Sequence, residues 1–164
     1  MVNAPTISTK IIWRILEQVT DPEVPVLTIT DLGIVRDVKI NGDEVEVIIT
    51  PTYTGCPAMD MIAMNIKLAL VENGYSNIKI SSALAPAWTT DWMSEDGKRK
   101  LKEYGIAPPQ HKAGQFMQPG SYQVPCPQCN STNTKLLSEF GSTACKALYQ
   151  CQDCKEPFDH FKCH

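Results

Sequence analysis

The sequence predicts an α+β protein in two parts: a two-layer α-β-β-α-β-α domain, then a small β domain held together by a metal. Three observations predict it. Apolar residues recur at helical spacing in two segments and alternate with polar ones in the two segments between them. A run rich in proline and glycine, residues 108–125, then interrupts the pattern. After it come two C-x-x-C pairs, Cys126/Cys129 and Cys151/Cys154, with 21 residues between them.

Residues 9–19 place Ile11, Ile12, Ile15, Leu16 and Val19 at helical spacing, a first helix. Asp21-Pro22 ends it, because a residue before proline avoids the helical region. Residues 34–40 and 45–49 alternate apolar and polar side chains across Asn41-Gly42, a strong hairpin signal. Residues 57–73 read as a long helix with Gly74 as its stop. Residues 77–84 form a third strand, and residues 91–104 a last helix stopped by Gly105. This order packs helices on one face of a small mixed sheet. The long helix is apolar on two faces. Met59, Ile62, Ile66 and Leu70 line one, and Met61, Met64, Leu68 and Val71 the other, which predicts a partner or a homodimer mate.

The domain limits follow: 1–107, a linker at 108–121, and 122–164. The last part is predicted to carry strands at 135–140, 147–150 and 158–161. Forty-three residues build little core, so metal ligation must supply its stability. Each C-x-x-C turn aims two thiolates inward, and two facing turns complete a tetrahedral set, a zinc-ribbon layout. Cys126, Cys129, Cys151 and Cys154 are the predicted ligands, for zinc or iron, since four thiolates suit both. The tail offers more soft ligands than one ion needs: Cys145, His160, Cys163 and His164. They are either spectators or an additional acceptor site. A thiol–disulfide role for Cys126-Pro127-Gln128-Cys129 is disfavoured, because turn residues and not a helix follow it.

Charge and composition exclude several classes. Residues 1–121 carry 11 basic and 14 acidic side chains, and residues 122–164 carry four of each. Neither part has the basic excess that nucleic acid requires. No stretch has membrane-spanning length, and no secretion signal is visible at the start. Seven cysteines, mostly in C-x-x-C pairs, fit a reducing cytoplasm. There is no dinucleotide fingerprint, no paired-carboxylate helix for di-iron and no catalytic triad. The run Lys98, Arg99, Lys100, Lys102 is flanked by Glu95, Asp96 and Glu103 and reads as a solvated helix face. Trp88 and Trp92 read as packing rather than a cofactor stack.

A second constellation is Cys56, between the second strand and the long helix. Pro57 suits a first helical position. Cys56 then falls near the N-cap, where free N–H groups and the helix dipole favour a thiolate. Gly55 permits a sharp turn that leaves the sulfur accessible. The alternative, a buried and inert cysteine, stays open on local chemistry alone.

Asp21-Pro22-Glu23, Leu32-Gly33 and Thr50-x-Thr52-x-x-Gly55-Cys56-Pro57 resemble the signatures of a family of small iron–sulfur-assembly domains. That family includes SufT-like proteins and the eukaryotic cytosolic iron–sulfur targeting factor. Longer runs, DPEVPVLTITDLGIVRDV, TPTYTGCPAMD, ALAPAWTTDW and FGSTACKALYQCQDCKEPFDHFKCH, resemble one branch, the PaaD (also PaaJ) components of phenylacetyl-CoA epoxidase systems. The resemblance implies an accessory rather than a catalytic role. The protein would mature a metal or iron–sulfur centre in a partner, either the di-iron oxygenase or the iron–sulfur reductase of the system. By the same resemblance Cys56 is the family's reactive cysteine and Asp21 and Glu23 its acidic pair, with a transient iron–sulfur cluster as cargo.

Overall fold

The computed structural model describes residues 8–112, 115, 118 and 120–162. The chain divides into two compact units, up to Trp88 and from Thr89.

In the first unit, α1 spans Thr9–Leu16 and buries Ile12, Ile15 and Leu16. Two turns carry the chain on to the buried Val19. A loop folded on itself follows. The Asp21 carboxylate accepts the N–H of Glu23 at 2.7 Å and of Val24 at 2.8 Å, and Val19 and Thr20 pair with Ile29 and Thr28. Strands β1 (Val35–Asn41) and β2 (Glu44–Ile49) form the predicted hairpin, closed by the pair Asn41↔Glu44 with Gly42 in the left-handed region. α2 (Ala58–Glu72) crosses to β3 (Ile78–Ser82), which runs parallel to β2, so the sheet order is β1-β2-β3.

One sheet face carries Val38, Val45, Val47 and Ile49, all buried. On the other face Lys79 pairs with Glu46 at 3.1 Å. A strand with one wet and one dry face needs this alternation. α2 presents Ala58, Ile62, Ile66 and Leu70 to the core. Its second apolar face is exposed, Met64 by 59%. Trp88 is buried as packing, its indole N–H donating to the Leu32 carbonyl.

The second unit begins with a single 3-10 turn, Thr90–Trp92, before α3 (Glu95–Tyr104). The sequence predicts one helix from residue 91. Two caps divide it, because the Thr89 side chain accepts from Asp91 N–H and the Ser94 side chain from Gly97 N–H. The basic run pairs within α3: Lys98 with Glu95, Arg99 with Asp96 and Glu103, Lys100 with Asp96.

Strands β4 (Thr134–Ser138), β5 (Lys146–Cys151) and β6 (Pro157–Phe161) form an antiparallel sheet in that order. Ala107 adds a bridge to the free edge of β6, donating to Asp159 O and accepting from Phe161 N–H. Through these bonds the segment after α3 folds with the ribbon. The proline-rich run therefore lies inside the second compact unit, with Gly120 N–H donating to the Tyr149 hydroxyl. The ribbon packs a small cluster of Ala107, Val124, Cys126, Ala147, Tyr149, Cys151 and Phe158.

Candidate functional site

The two C-x-x-C turns face each other as their spacing predicts. The sulfurs of Cys126, Cys129, Cys151 and Cys154 all lie within 4.8 Å of one another. Cys126 and Cys154 are 3.7 Å apart, Cys129 and Cys151 3.5 Å. Four thiolates about 2.3 Å from a central ion sit roughly 3.8 Å from each other, so the set fits a tetrahedral metal. These four residues would hold it, and the ion would supply the positive charge that lets four thiolates share so small a volume.

Backbone donors prepare the site. Burial pushes the Cys151 thiol up, but the N–H groups of Cys154 and Asp153 bring it down to about 7. At Cys154 the Glu156 N–H pulls down, yet burial and the sulfurs of Cys151, Cys129 and Cys126 push it up to about 12. Cys126 and Cys151 are buried within the core, while Cys129 and Cys154 are exposed.

Of the extra soft ligands, His160 is fully buried. Its Nδ1–H donates to the Ala107 carbonyl at 3.1 Å, so Nε2 accepts from the Tyr122 hydroxyl at 2.9 Å. Both nitrogens are engaged by protein groups. Burial brings its pKa down to about 4. Cys145 is buried with its sulfur 3.0 Å from the Thr143 hydroxyl. Neither belongs to the four-sulfur group, which is the one such group among the described residues. Cys163 and His164 lie outside the described residues.

Cys56 sits in the loop that leads from the carboxyl end of β2 to α2. Thr50, the residue after β2, is buried and ties the two strand exits together: its hydroxyl donates to the Ala83 carbonyl at 2.7 Å. Strand exits of parallel pairs are where α/β sheets place ligands. Gly55 turns the chain at φ +78°, with open space around it, so backbone conformation alone selects glycine there. Pro57 has helical angles (φ −69°, ψ −19°) and leads into Ala58. Cys56 is half-exposed, with the Thr52 hydroxyl 3.9 Å from its sulfur. Asp21 lies in the loop after α1, its carboxylate engaged by two backbone N–H groups, and Glu23 is half-buried beside it.

Sequence reasoning missed Ser131, Asn133 and Asp153. Asp153 stands between two ligands, and its carboxyl is held below the usual range by hydrogen bonds from Ser131 and Asn133. An acidic residue inside a C-x-x-C turn, where like charges are costly, was the available signal.

Residues 10–74 match the family described as iron–sulfur cluster assembly protein, and residues 110–162 match the PaaD zinc beta ribbon domain. The Escherichia coli (strain K12) protein named as the D component of 1,2-phenylacetyl-CoA epoxidase is 52% identical over 153 residues, which cover 93% of this chain and 91% of that protein. An Fe-S protein maturation auxiliary factor of Porphyromonas gingivalis (strain W83) is 36% identical over 92 residues, 55% of this chain and 87% of that one. Among solved structures, a domain of unknown function (DUF59) from Bacillus anthracis aligns with a TM-score of 0.53 at 29% identity, covering 56% of this chain and 89% of its own. The chain thus joins an iron–sulfur-assembly domain to a zinc ribbon and belongs to the PaaD family of phenylacetyl-CoA epoxidase components.

Proposed function

We propose that this protein is an accessory factor of a phenylacetyl-CoA epoxidase system and assists maturation of a metal or iron–sulfur centre in a partner subunit. The observation that carries the reading is Cys56, half-exposed on a glycine-turned loop between β2 and α2, within the segment that matches iron–sulfur cluster assembly proteins. A reachable thiol beside a helix start can take a soft cation or cluster and release it. Iron, or a cluster, is here the cargo. The four-cysteine ribbon is a separate centre for zinc or iron. The receiving subunit is either the di-iron oxygenase or the iron–sulfur reductase. Asp21 holds the loop after α1, and Glu23 is the acidic group beside it; in this reading the two serve the transfer of the cargo.

Coexpression of the epoxidase subunits with the full chain tests this. Cys56→Ala is expected to fold, keep its ribbon metal and leave the partner short of iron or cluster. Full epoxidase activity and iron content with Cys56→Ala would remove Cys56 from the role.

A second reading has the ribbon as a docking scaffold and Cys56 as inert. Exposed apolar side chains on the ribbon, Leu137 by 49% and Phe140 by 64%, favour it. It requires Leu137→Glu with Phe140→Glu to abolish binding to the epoxidase subunits while Cys56→Ala is silent.

A further inference from the structure

The two knuckles are tied to each other by side chains that also serve the sulfurs. The Ser131 N–H is aimed at the Cys129 sulfur, and the Asp153 N–H at that of Cys151. These same two residues are joined directly, the Ser131 hydroxyl donating to Asp153 Oδ2. The other carboxylate oxygen accepts from the Asn133 side-chain amide at 2.8 Å. Asn133 N–H donates to Ser131 Oγ at 3.0 Å, and Asn133 O accepts from Gln152 N–H at 2.8 Å. Ser131 O accepts the Cys126 N–H at 2.9 Å. Three bonds therefore cross between the loop after Cys129 and the turn between Cys151 and Cys154.

The placement has a cost that calls for a reason. Asp153 brings a further negative charge to four thiolates, where Coulomb repulsion works against it. It is also exposed, where a single hydrogen bond contributes little to folding. Its bonds do something else. A metal leaves a four-sulfur site only as its ligands separate, and Cys129 and Cys154, the exposed pair, are where a chelator can reach. The Ser131–Asp153–Asn133 bonds span that opening.

We propose that Ser131, Asn133 and Asp153 are positioning residues of the metal centre, a clamp that holds the two knuckles at the spacing the ion needs and slows its release. The clamp makes the ribbon ion a resident of the protein rather than its cargo. It rests on the four-sulfur geometry and is independent of the role of Cys56.

The test uses the full chain loaded with zinc and mixed with an excess of a chromophoric chelator, and the same chain loaded with cobalt(II) for its absorption bands. Asp153→Ala is expected to release zinc about tenfold faster, the scale seen when groups supporting metal ligands are lost. It is also expected to shift the cobalt d–d bands, which report ligand angles. Ser131→Ala should do the same, and the double variant little more than either alone, since the pair acts as one unit. Asp153→Asn keeps one acceptor oxygen and should recover part of the slow release. Lys135→Ala, on the exposed side of β4, should release at the parent rate. If Asp153→Ala holds no metal, Asn133→Ala decides, because it removes one crossing bond of the three. Parent release rates with unshifted cobalt bands in the variant that decides would overturn the clamp. So would strictly additive effects of Ser131→Ala and Asp153→Ala.

Discussion

The two units solve the same problem with different means. The first buries Ile12, Leu16, Leu27, Ile29, Val45, Val47, Ile62, Ile66 and Leu70 against one another, enough apolar surface to offset chain entropy. In the ribbon of the second unit the buried cluster is seven small or aromatic side chains, and two of the seven, Cys126 and Cys151, belong to the four-sulfur group. The first centre is aliphatic, whereas the ribbon is built around four sulfurs whose charge a cation would neutralise. The difference teaches where each unit can be broken. Methylene groups hold the first, and the ribbon is expected to depend on sulfur–metal bonds.

The largest expected effect is therefore metal removal. A structural four-thiolate site contributes about 10 kcal/mol or more of binding energy to folding. Stripping the ion from the full chain should abolish amide-exchange protection across β4, β5 and β6 and leave β1, β2 and β3 protected. Simultaneous loss in both sheets would collapse the comparison. The converse lesion is Leu70→Ala, which removes a fully buried side chain from α2. It should destabilise the first unit by about 2–5 kcal/mol in urea unfolding, with zinc content unchanged.

A third effect belongs to the ribbon alone. His160 is buried neutral between the Ala107 carbonyl and the Tyr122 hydroxyl, with Tyr149 at its ring edge and Lys162 and His111 nearby. Its pKa falls from 6.5 to about 4 on folding. The unfolded chain thus binds the proton first as pH drops, so stability is full above about 6.5 and is lost progressively down to about 4. From pH 7.5 to 5 that loss is about 2 kcal/mol. The sulfurs take up protons too, so the measurement is the difference from His160→Gln. The variant should be less stable at pH 7.5 and show a shallower loss toward pH 5. Parallel slopes would mean that His160 adds nothing.

What could be read from the sequence follows the same divide. Short-range patterns were legible: the alternation in β1 and β2, the three-to-four spacing of α2, and the two C-x-x-C turns. Each is set by neighbours within one element. Cys56 and its loop were legible because Gly55 and Pro57 fix the local backbone. Pairings over long separations were not. Ala107 bonds to β6 more than fifty residues onward, and nothing at Ala107 announces it. His160 looked like a ligand because only its partners, Ala107 and Tyr122, reveal a buried structural imidazole. The break before Ser94 was hidden because two caps compete within one helical-looking run. Ser131 and Asp153 have ordinary identities, and their role arises from a turn-to-turn meeting that the cysteine spacing brings about.

The smallest predicted effect separates the units at the level of the backbone. Among the described residues of the first unit the left-handed positions are glycines, Gly42 and Gly55 among them. In the ribbon, Asn130 (φ 61°) and Lys155 (φ 68°) take this conformation, each immediately after a cysteine of the four-sulfur group. A side chain there costs about 1 kcal/mol or more, least for asparagine. A metal on the four sulfurs would overdetermine the knuckle turns and so bear that cost, whereas nothing is packed where a Cβ at Gly55 would stand. Lys155→Gly should relieve strain and be neutral or stabilising by up to about 1 kcal/mol in a metal-loaded melt, the flexibility of glycine in the unfolded chain offsetting part of the gain. Gly55→Ala should go the other way, costing about 1–2 kcal/mol although its surroundings are open. Equal and opposite small changes would show that both turns carry the same conformational demand and differ only in what enforces it. A Lys155→Gly variant that is destabilised by more than the loss at Gly55→Ala would place the lysine side chain, and not the metal, as the enforcer of the second knuckle.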